Sequence, residues 1–243
     1  MSLNNLRTEL KKNAHPTQAI ILRKYFKTGK GEYGEGDIFL GIKVPIQRKI
    51  AQKYQNLSLS DLVKLLHSKI HEERFTALVL MVNLYKKGDV TKKRLIYKTY
   101  LANTKWINNW DLVDTSTPQI IGDYLYNFDD VELLDKLAKS KLLWDRRIAI
   151  IATFTFIRHN NFKPTFHISQ ILFNDNHDLI HKAVGCMLRE VGKKDTKALK
   201  KFLDQYASQM PRASLRYAIE KFNKKDRDNY LQITKTIKSS NIV

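Results

Sequence analysis

The stretch EERFTALVLMVNLYKK, residues 72–87, decides the fold of this chain. It begins with charged residues, is apolar on nearly every side and ends on two lysines before Gly88, which is the pattern of a buried helix. Three later segments repeat this order of a basic residue, an alanine, an apolar helix and a basic end. They read WDRRIAIIATFTFIRH (144–159), IHKAVGCMLREVGKK (180–194) and SLRYAIEKFNKK (214–225).

The alanines that anchor these four segments recur at a nearly constant interval. Ala77, Ala149, Ala183 and Ala218 are separated by 72, 34 and 35 residues. Because the first interval is twice 36, we expect one further copy anchored at Val113. Repeats of roughly 35 residues are typical of helical pairs that stack into a solenoid around a continuous core. The sequence therefore predicts an all-α solenoid of helical repeats with a concave basic face.

The same pattern predicts a single repeat domain over residues 1–243. We expect the helices of residues 1–55 to cap it at one end and residues 238–243 to form a frayed tail. Within the domain, Ser60 is expected to be the N-cap of a helix whose buried face carries Leu62, Leu65 and Leu66.

Charge is the strongest signal in the composition. Lysine and arginine total 43 and aspartate and glutamate 24, which gives a formal net charge of +19. A surface of this kind attracts polyanions, and basic residues spread along the whole chain favour nucleic acid over an acidic membrane. No apolar run reaches the ~18 residues that cross a bilayer, and the first residues lack the apolar core of a secretory signal. A single cysteine fits a reducing compartment, so we expect a cytoplasmic protein.

The copy around Val113 reads NWDLVDTS and breaks the basic pattern of the other repeats. Trp110 and Asp114 are four residues apart, so they share one helix face a turn apart. In the other copies, basic residues stand one to three positions before the anchor alanine. We expect them to form a basic stripe that binds phosphates. Its members are Arg74, Arg146, Arg147, Lys182 and Arg216. From the residues alone, a structural role for Asp114, as a helix cap or as the ion-pair partner of Arg147, is favoured over a functional one.

Five blocks in order, FLGIKVPIQRK, NWDLVD, WDRRIAI, HKAVGCMLREVGKKD and MPRASLRYAIEKF, resemble the AlkD-type DNA alkylation repair glycosylases over about residues 15–225. The resemblance implies a right-handed α-solenoid of HEAT-like repeats. It also implies removal of cationic N3- or N7-alkylated purines from double-stranded DNA by a bacterial cytosolic monomer. That family uses no metal, no cofactor and no conventional base-binding pocket.

Site residues follow from the same resemblance. It implies a catalytic Asp114 with Trp110 and Arg147 beside it, and DNA contacts from Lys43, Arg48 and Arg189. At the place of the family's usual second active-site tryptophan this chain has Cys186, which has no aromatic face. A non-catalytic relative that binds distorted or branched DNA is therefore an alternative, and a protein-binding scaffold is a weaker one.

Two other motifs carry no site in this interpretation. GKGEYG, residues 29–34, matches a dinucleotide-binding pattern but follows a helix-like segment, and Glu32 and Glu35 would repel a pyrophosphate. Five of the nine glycines fall in residues 29–41, which we interpret as a flexible loop near the DNA. His177 and His181 have the spacing of a metal pair without an evident third ligand, so we expect capping or surface roles.

Overall fold

The computed structural model of the protein describes residues 2–128 and 131–240. Within these ranges the chain is helical and contains no strand, which confirms the all-α prediction. The helices are α1 (Leu3–Lys12), α2 (Pro16–Tyr25), α3 (Val44–Lys53), α4 (Leu59–Leu66), α5 (His71–Lys87), α6 (Val90–Ala102), α7 (Trp110–Thr117), α8 (Asp123–Phe128), α9 (Glu132–Ala138), α10 (Leu143–Arg158), α11 (Lys163–Ile171), α12 (Asp178–Lys194), α13 (Thr196–Tyr206), α14 (Arg212–Ala218) and α15 (Lys224–Ser240).

The chain divides into two compact units, Met1–Tyr124 and Leu125–Val243. In the first unit, α5 packs against α3, α4 and α7. In the second, α10 packs against α9, α11 and α12, and α12 packs against α14. The prediction of one domain over the whole chain stays a prediction. Residues 238–240 of the predicted frayed tail belong to α15, and residues 241–243 lie outside the described part of the chain.

All five predicted anchors lie in the interior of a unit. Ala77 (α5), Val113 (α7), Ala149 (α10), Ala183 (α12) and Ala218 (the last residue of α14) are each at most 1% exposed. A small side chain at these points lets neighbouring helices approach closely, which accounts for alanine in four copies of the pattern. The helix with Leu62, Leu65 and Leu66 also exists, but the prediction of its cap is wrong: Ser58, two residues earlier, accepts from the Asp61 N–H.

The entries to α5 and α10 are built alike, at positions 72 residues apart. Arg74 Nη1 donates to the Ser68 carbonyl at 2.9 Å, and Arg146 Nη1 donates to the Ser140 carbonyl at 3.0 Å. The two serine hydroxyls in turn accept from the Ile70 and Leu142 N–H groups. This local hydrogen-bond pattern recurs at twice the repeat length, which supports the predicted period, and it holds both arginine side chains against the protein.

Two arginines of the predicted basic stripe, Arg74 and Arg146, are thus bound to carboxylates of the protein itself. Arg74 is 2% exposed and pairs with Asp37, and Arg146 pairs with Asp175. A guanidinium whose donors are already engaged with a carboxylate and a carbonyl has little to offer a phosphate. The stripe prediction is therefore wrong for Arg74, and for Arg146 the structure shows a structural role while DNA contact stays a prediction.

None of the helices described here is both long and apolar enough to cross a membrane.

Candidate active site

The first turn of α7 places Trp110 and Asp114 on one helix face. Asn109, which is completely buried, caps the helix by accepting the Trp110 N–H at 2.8 Å. Near the end of α7, the buried hydroxyls of Ser116 and Thr117 hydrogen-bond to Tyr100. Because α7 is held at both ends, the half-buried side chains of Trp110 and Asp114 have a fixed orientation.

The Trp110 ring is supported by aromatic residues from the segment between α2 and α3. Its indole stacks on Phe26 with ring centroids 5.3 Å apart, and Tyr25 meets it edge-on at 5.9 Å. Phe26 stacks in turn on Phe39 at 5.1 Å. Burial raises the pKa of Tyr33, and a hydrogen bond with the Trp110 side chain opposes that rise. Three aromatic side chains thus contact Trp110, and Phe39 supports one of them from behind.

His71 of α5 packs against Phe26 and Phe39 of this stack and connects α5 to two other segments of the first unit. Its Nδ1 lies 3.2 Å from Asp37 Oδ2, its Nε2 lies 2.8 Å from Asp111 Oδ2, and its ring stacks on Phe39 at 4.5 Å. Burial alone would lower the pKa of His71, but the carboxylates of Asp111 and Asp37 raise it to about 9. The imidazole is therefore a buried cation at neutral pH, and Asp111 has a structural role as its partner.

The glycine-rich segment before α3 is anchored to α5 by a buried carboxylate. Glu72 is fully buried and accepts the N–H groups of Leu40, Gly41 and Ile42 at 3.0, 2.8 and 3.2 Å. Gly41 has a φ of +86°, and a Cβ on it would lie 2.2 Å from the His15 carbonyl oxygen. Interpreting this region as a flexible loop missed these contacts, which hold the segment against the site.

A cavity of about 370 Å³ opens beside these residues and lies wholly within the first unit. Phe75, Phe39 and Ile42 lie on its buried floor, and the exposed side chains of Tyr25 and Val44 form part of its rim. The lining comprises Gln18, Leu22, Tyr25, Phe26, Phe39, Ile42, Lys43, Val44, Gln47, His71, Glu72, Phe75, Trp110, Asp111, Asp114 and Thr115.

Three of the predicted site residues, Lys43, Trp110 and Asp114, are brought together at this cavity. Arg48 is exposed on α3, with its guanidinium carbon 5.6 Å from the centre of the Phe75 ring. It therefore lies near the cavity without lining it. Burial raises the pKa of Tyr100 to about 12, and the Asp114 carboxylate acts in the same direction.

The remaining predicted residues lie in the second unit and are described there alone. Arg147 is 7% exposed and donates from Nη1 to the Leu179 carbonyl at 2.7 Å. Lys182 forms an ion pair with Asp178, and Arg189 pairs with Glu220. Arg216 is exposed on α14, and Cys186 is half-buried on α12. A role for each of these five in catalysis or DNA binding stays a prediction.

Two further cavities lie in the second unit. One of about 360 Å³ between α9 and α11 contains none of the predicted site residues. The other, of about 380 Å³, is lined by Arg189, Lys193 and Lys221 among others. His177 caps α12 by accepting the Leu179 N–H, which confirms a capping role. No group of three potential metal ligands occurs among residues 2–128 and 131–240.

Comparison with known proteins identifies a family and a similar structure. A family model described as "DNA alkylation repair enzyme" matches residues 6–222. A solved structure titled as a predicted DNA alkylation repair enzyme from Enterococcus faecalis superposes with a TM-score of 0.68. The match has 14% sequence identity and covers 87% of this chain and 98% of that one, so the likeness concerns the fold alone. No curated protein sequence matches the chain.

Proposed function

This chain belongs to the DNA alkylation repair enzyme family, and we propose that within it the protein is a glycosylase that excises cationic N3- or N7-alkylated purines from duplex DNA. Family membership makes DNA the partner and alkylation repair the process. The observation that supports the finer assignment is the pairing of Trp110 and Asp114 on one face of α7, at the wall of an aromatic cavity.

The chemistry needs one well-placed carboxylate. An N-alkylated purine already carries a positive charge, so when the C1′–N bond breaks, the electron pair goes to the purine ring and the base leaves neutral. The deoxyribose acquires oxocarbenium character, which the Asp114 carboxylate stabilises. Water forms the new C1′–O bond and gives up one proton. Because the base needs no protonation, a second carboxylate acting as general acid is unnecessary.

Trp110 supplies the second requirement, which is attraction for a flat cation. An indole face held over a cation contributes roughly 0.5–2 kcal/mol, more when water is excluded. Such an interaction helps catalysis most when the indole ring is already fixed before the substrate binds, because ordering the ring at each encounter would cost free energy. The stack on Phe26 and the edge contact with Tyr25 provide this order before substrate arrives.

The basic surface provides affinity for the duplex without reading its sequence. A net charge of +19 implies binding that weakens steeply as the salt concentration rises, because the release of counterions from DNA then gains less entropy. Lys43 is the DNA-contact candidate of the first unit that lines the cavity together with Asp114, and Arg48 follows it on α3. We expect the protein to act as a monomer on DNA in a bacterial cytosol.

The alternative, a relative that binds distorted or branched DNA without cleaving it, rests on Cys186. A cysteine is smaller than tryptophan and offers no aromatic face to a cation. Arg147, the third predicted catalytic residue, is proposed to hold a phosphate near the lesion. Its Nη1 is engaged by the Leu179 carbonyl, so its other donors would have to make that contact.

Base release distinguishes the two functions. The protein is incubated with duplex DNA treated with a methylating agent, and free 3-methyladenine and 7-methylguanine are measured by chromatography. Release above the spontaneous rate supports the glycosylase. Binding of the same duplex or of a four-way junction, with release at the spontaneous rate, supports the non-catalytic relative instead.

A further inference from the structure

We infer that the glycine-rich loop of residues 27–37 is part of the site and that Tyr33 is a positioning residue, which holds the Trp110 indole in the orientation that the reaction needs. This inference rests on the proposed function. Tyr33 lies outside the five sequence blocks that carry the family resemblance. Three observations support the role: a hydrogen bond between the two side chains, the order of the loop around Tyr33 and the attachment of the loop to the start of α7.

The hydrogen bond joins Tyr33 to the edge of the indole. The Trp110 side chain has one hydrogen-bonding group, its Nε1–H, which only donates. It is bonded to the half-buried Tyr33 side chain, so the phenol oxygen is the acceptor. The stack on Phe26 restricts the tilt of the indole ring but leaves the broad χ2 torsion of a tryptophan some freedom. Because a hydrogen bond is directional, the bond to Tyr33 removes much of this freedom.

Trp106 shows that burial and stacking do not by themselves supply such an acceptor. Its ring stacks on His67 with ring centroids 4.8 Å apart. Its Nε1 is buried, yet it has no hydrogen-bond partner in the part of the chain that the structure describes. The acceptor placed at Trp110 is therefore a particular feature of the site.

The carboxylates of the loop hold its backbone on both sides of Tyr33. Glu32 accepts the Gly29 N–H at 2.7 Å, and Glu35 accepts the Gly31 N–H at 2.8 Å. Such side-chain bonds to nearby backbone N–H groups replace those of a helix or strand and order a turn locally. The glycines predicted a flexible loop, but these contacts give the segment around Tyr33 a defined shape.

Close packing also fixes Tyr33 relative to the aromatic stack. A Cβ on Gly34, the next residue, would lie 2.4 Å from the Phe26 carbonyl oxygen, so only glycine permits this approach. The Gly34 N–H donates to the Lys27 carbonyl at 3.0 Å at the same point. Phe26 is the residue on which Trp110 stacks, so the loop and the indole share one support.

The far end of the loop is connected to the helix that carries Trp110. Asp37 lies 3.2 Å from His71 Nδ1 and 2.6 Å from Arg74 Nη2, and all three side chains are buried. The other ring nitrogen of His71 pairs with Asp111, the residue after Trp110. The loop is thus attached to the first turn of α7 through His71 as well as through the bond from Tyr33, which suits an element that orients one ring.

A substitution that removes only the acceptor tests the role. Tyr33→Phe keeps the ring and loses the hydroxyl. Tyr54→Phe is the matched control, because it removes a hydroxyl of the same unit that donates to Glu9 at 2.8 Å and does not line the cavity. Single-turnover base release from methylated duplex is measured at increasing protein concentration, which gives the maximal rate and the half-saturating concentration separately. The indole N–H resonances of the three tryptophans are recorded by nuclear magnetic resonance, and Trp110→Phe identifies that of Trp110.

We expect Tyr33→Phe to lower the maximal rate by about 3- to 10-fold, as loss of one hydrogen bond that orients a reacting group implies. The half-saturating concentration should stay within about twofold, because the phenol contacts the indole rather than the DNA. The Trp110 indole resonance should shift. Tyr54→Phe should change neither the rate nor this resonance.

An unchanged maximal rate or an unchanged Trp110 resonance in Tyr33→Phe would overturn the inference. Weaker binding at an unchanged maximal rate would also overturn it, because Tyr33 would then be a DNA contact. So would an equal loss of activity in Tyr54→Phe, which would indicate a general effect on the fold of the unit. If the unmodified protein releases no base, the glycosylase assignment fails, and the resonance alone decides whether Tyr33 orients Trp110: a shift supports the role and an unchanged resonance overturns it.

Discussion

The first turn of α7 and the middle of α12 are the two places where the resemblance implies an aromatic wall, and only α7 has one. Trp110 is stacked, hydrogen-bonded and held by a capped helix. At the corresponding point of α12 stands Cys186, half-buried and next to a glycine that packs against α14. We therefore propose that Trp110 in the first unit supplies the aromatic wall of the site and that residue 186 modulates its activity.

The residues that hold Trp110 and Cys186 in position differ as well. Behind α7 lies a network of buried charges centred on His71 of α5, whose two partners, Asp37 and Asp111, come from two other segments. Behind Cys186 there is close backbone packing, because a Cβ on Gly185 would lie 2.5 Å from the Ser214 carbonyl oxygen. The region around Trp110 depends on buried charges and the region around Cys186 on close packing. The stability of the two regions should therefore respond differently to mutation and to pH.

The largest effect is expected at His71. His71→Gln removes a buried cation from between Asp37 and Asp111, and leaving buried carboxylates without their partner costs about 3–5 kcal/mol of the free energy of unfolding. The exposed pair of His167 and Asp135 is the control, for which His167→Gln should cost less than about 1 kcal/mol. Urea denaturation measures both. Equal costs for the two variants would show that the network does not stabilise the first unit.

The same residue gives that stability a definite pH dependence. Because the pKa of His71 rises from 6.5 to about 9 on folding, the stabilisation from its protonated form is complete below pH 6.5. It is lost as the pH rises towards 9, at a rate of about 1.4 kcal/mol for each pH unit. Asp37, Asp111 and Arg74 are the charged groups around it. The difference in stability between the unmodified protein and His71→Gln should therefore narrow over this range, and a constant difference would contradict the assignment.

A smaller loss of stability is expected from adding a side chain at Gly185, next to Cys186. Gly185→Ala brings a methyl group against the Ser214 backbone and the Tyr217 Cβ, which costs about 1–3 kcal/mol because α14 must shift. Gly192→Ala on the same helix meets only the Leu199 side chain, with Cδ2 at 2.5 Å. Since a flexible side chain can move and alanine favours helix, its net effect should stay within about 1 kcal/mol. A milder effect at Gly185 than at Gly192, by thermal denaturation, would contradict the proposed packing.

Residue 186 itself should have a moderate effect on activity. Cys186→Trp restores an aromatic face, and a cation–aromatic contact of about 0.5–2 kcal/mol corresponds to a rise of roughly 2- to 30-fold in base release. Cys186→Ala removes the thiol without adding a ring and should leave the rate within about twofold. Single-turnover release from methylated duplex measures both. A large loss of base release on Cys186→Ala would contradict this, because it would mean that the thiol takes a direct part in the reaction.

The smallest effect concerns the basic residues of the second unit. Arg216 is exposed, so Arg216→Ala should lower the slope of log affinity against log salt by about one if it contacts a phosphate. Arg146 is fixed by Asp175 and by two carbonyls, so Arg146→Ala should change stability and leave the slope unchanged. DNA titrations at several salt concentrations distinguish these outcomes. A reduced slope for Arg146→Ala would restore it to the predicted basic stripe.

The repeat period could be predicted from the sequence because each copy keeps a small residue at a helix contact. Every anchor from Ala77 to Ala218 is buried, including Val113, which was found by interpolation alone. The same periodicity misplaced Arg74, which is buried and paired with Asp37. Position within a repeat predicts which residues are equivalent, but it does not reveal whether a carboxylate elsewhere in the chain will bind them.

The network around Trp110 could not be predicted for a related reason. His71 and Asp37 are 34 residues apart, and His71 and Asp111 are 40 apart, so no local pattern links them. The glycine-rich segment does contain Phe26, Tyr33 and Phe39 in and around it, and these aromatics were the available sign that it packs rather than moves freely.

The most direct test is single-turnover release of 7-methylguanine from duplex DNA by the unmodified protein and Asp114→Asn. Asp135→Asn, at an exposed carboxylate of the second unit, is the control that removes the same charge away from the cavity. With DNA saturating, we expect Asp114→Asn to lower the rate by about 10²–10³-fold, as loss of one transition-state charge contact does, and Asp135→Asn to leave it unchanged. Equal rates for the unmodified protein and Asp114→Asn would contradict the central claim that this carboxylate stabilises the sugar cation.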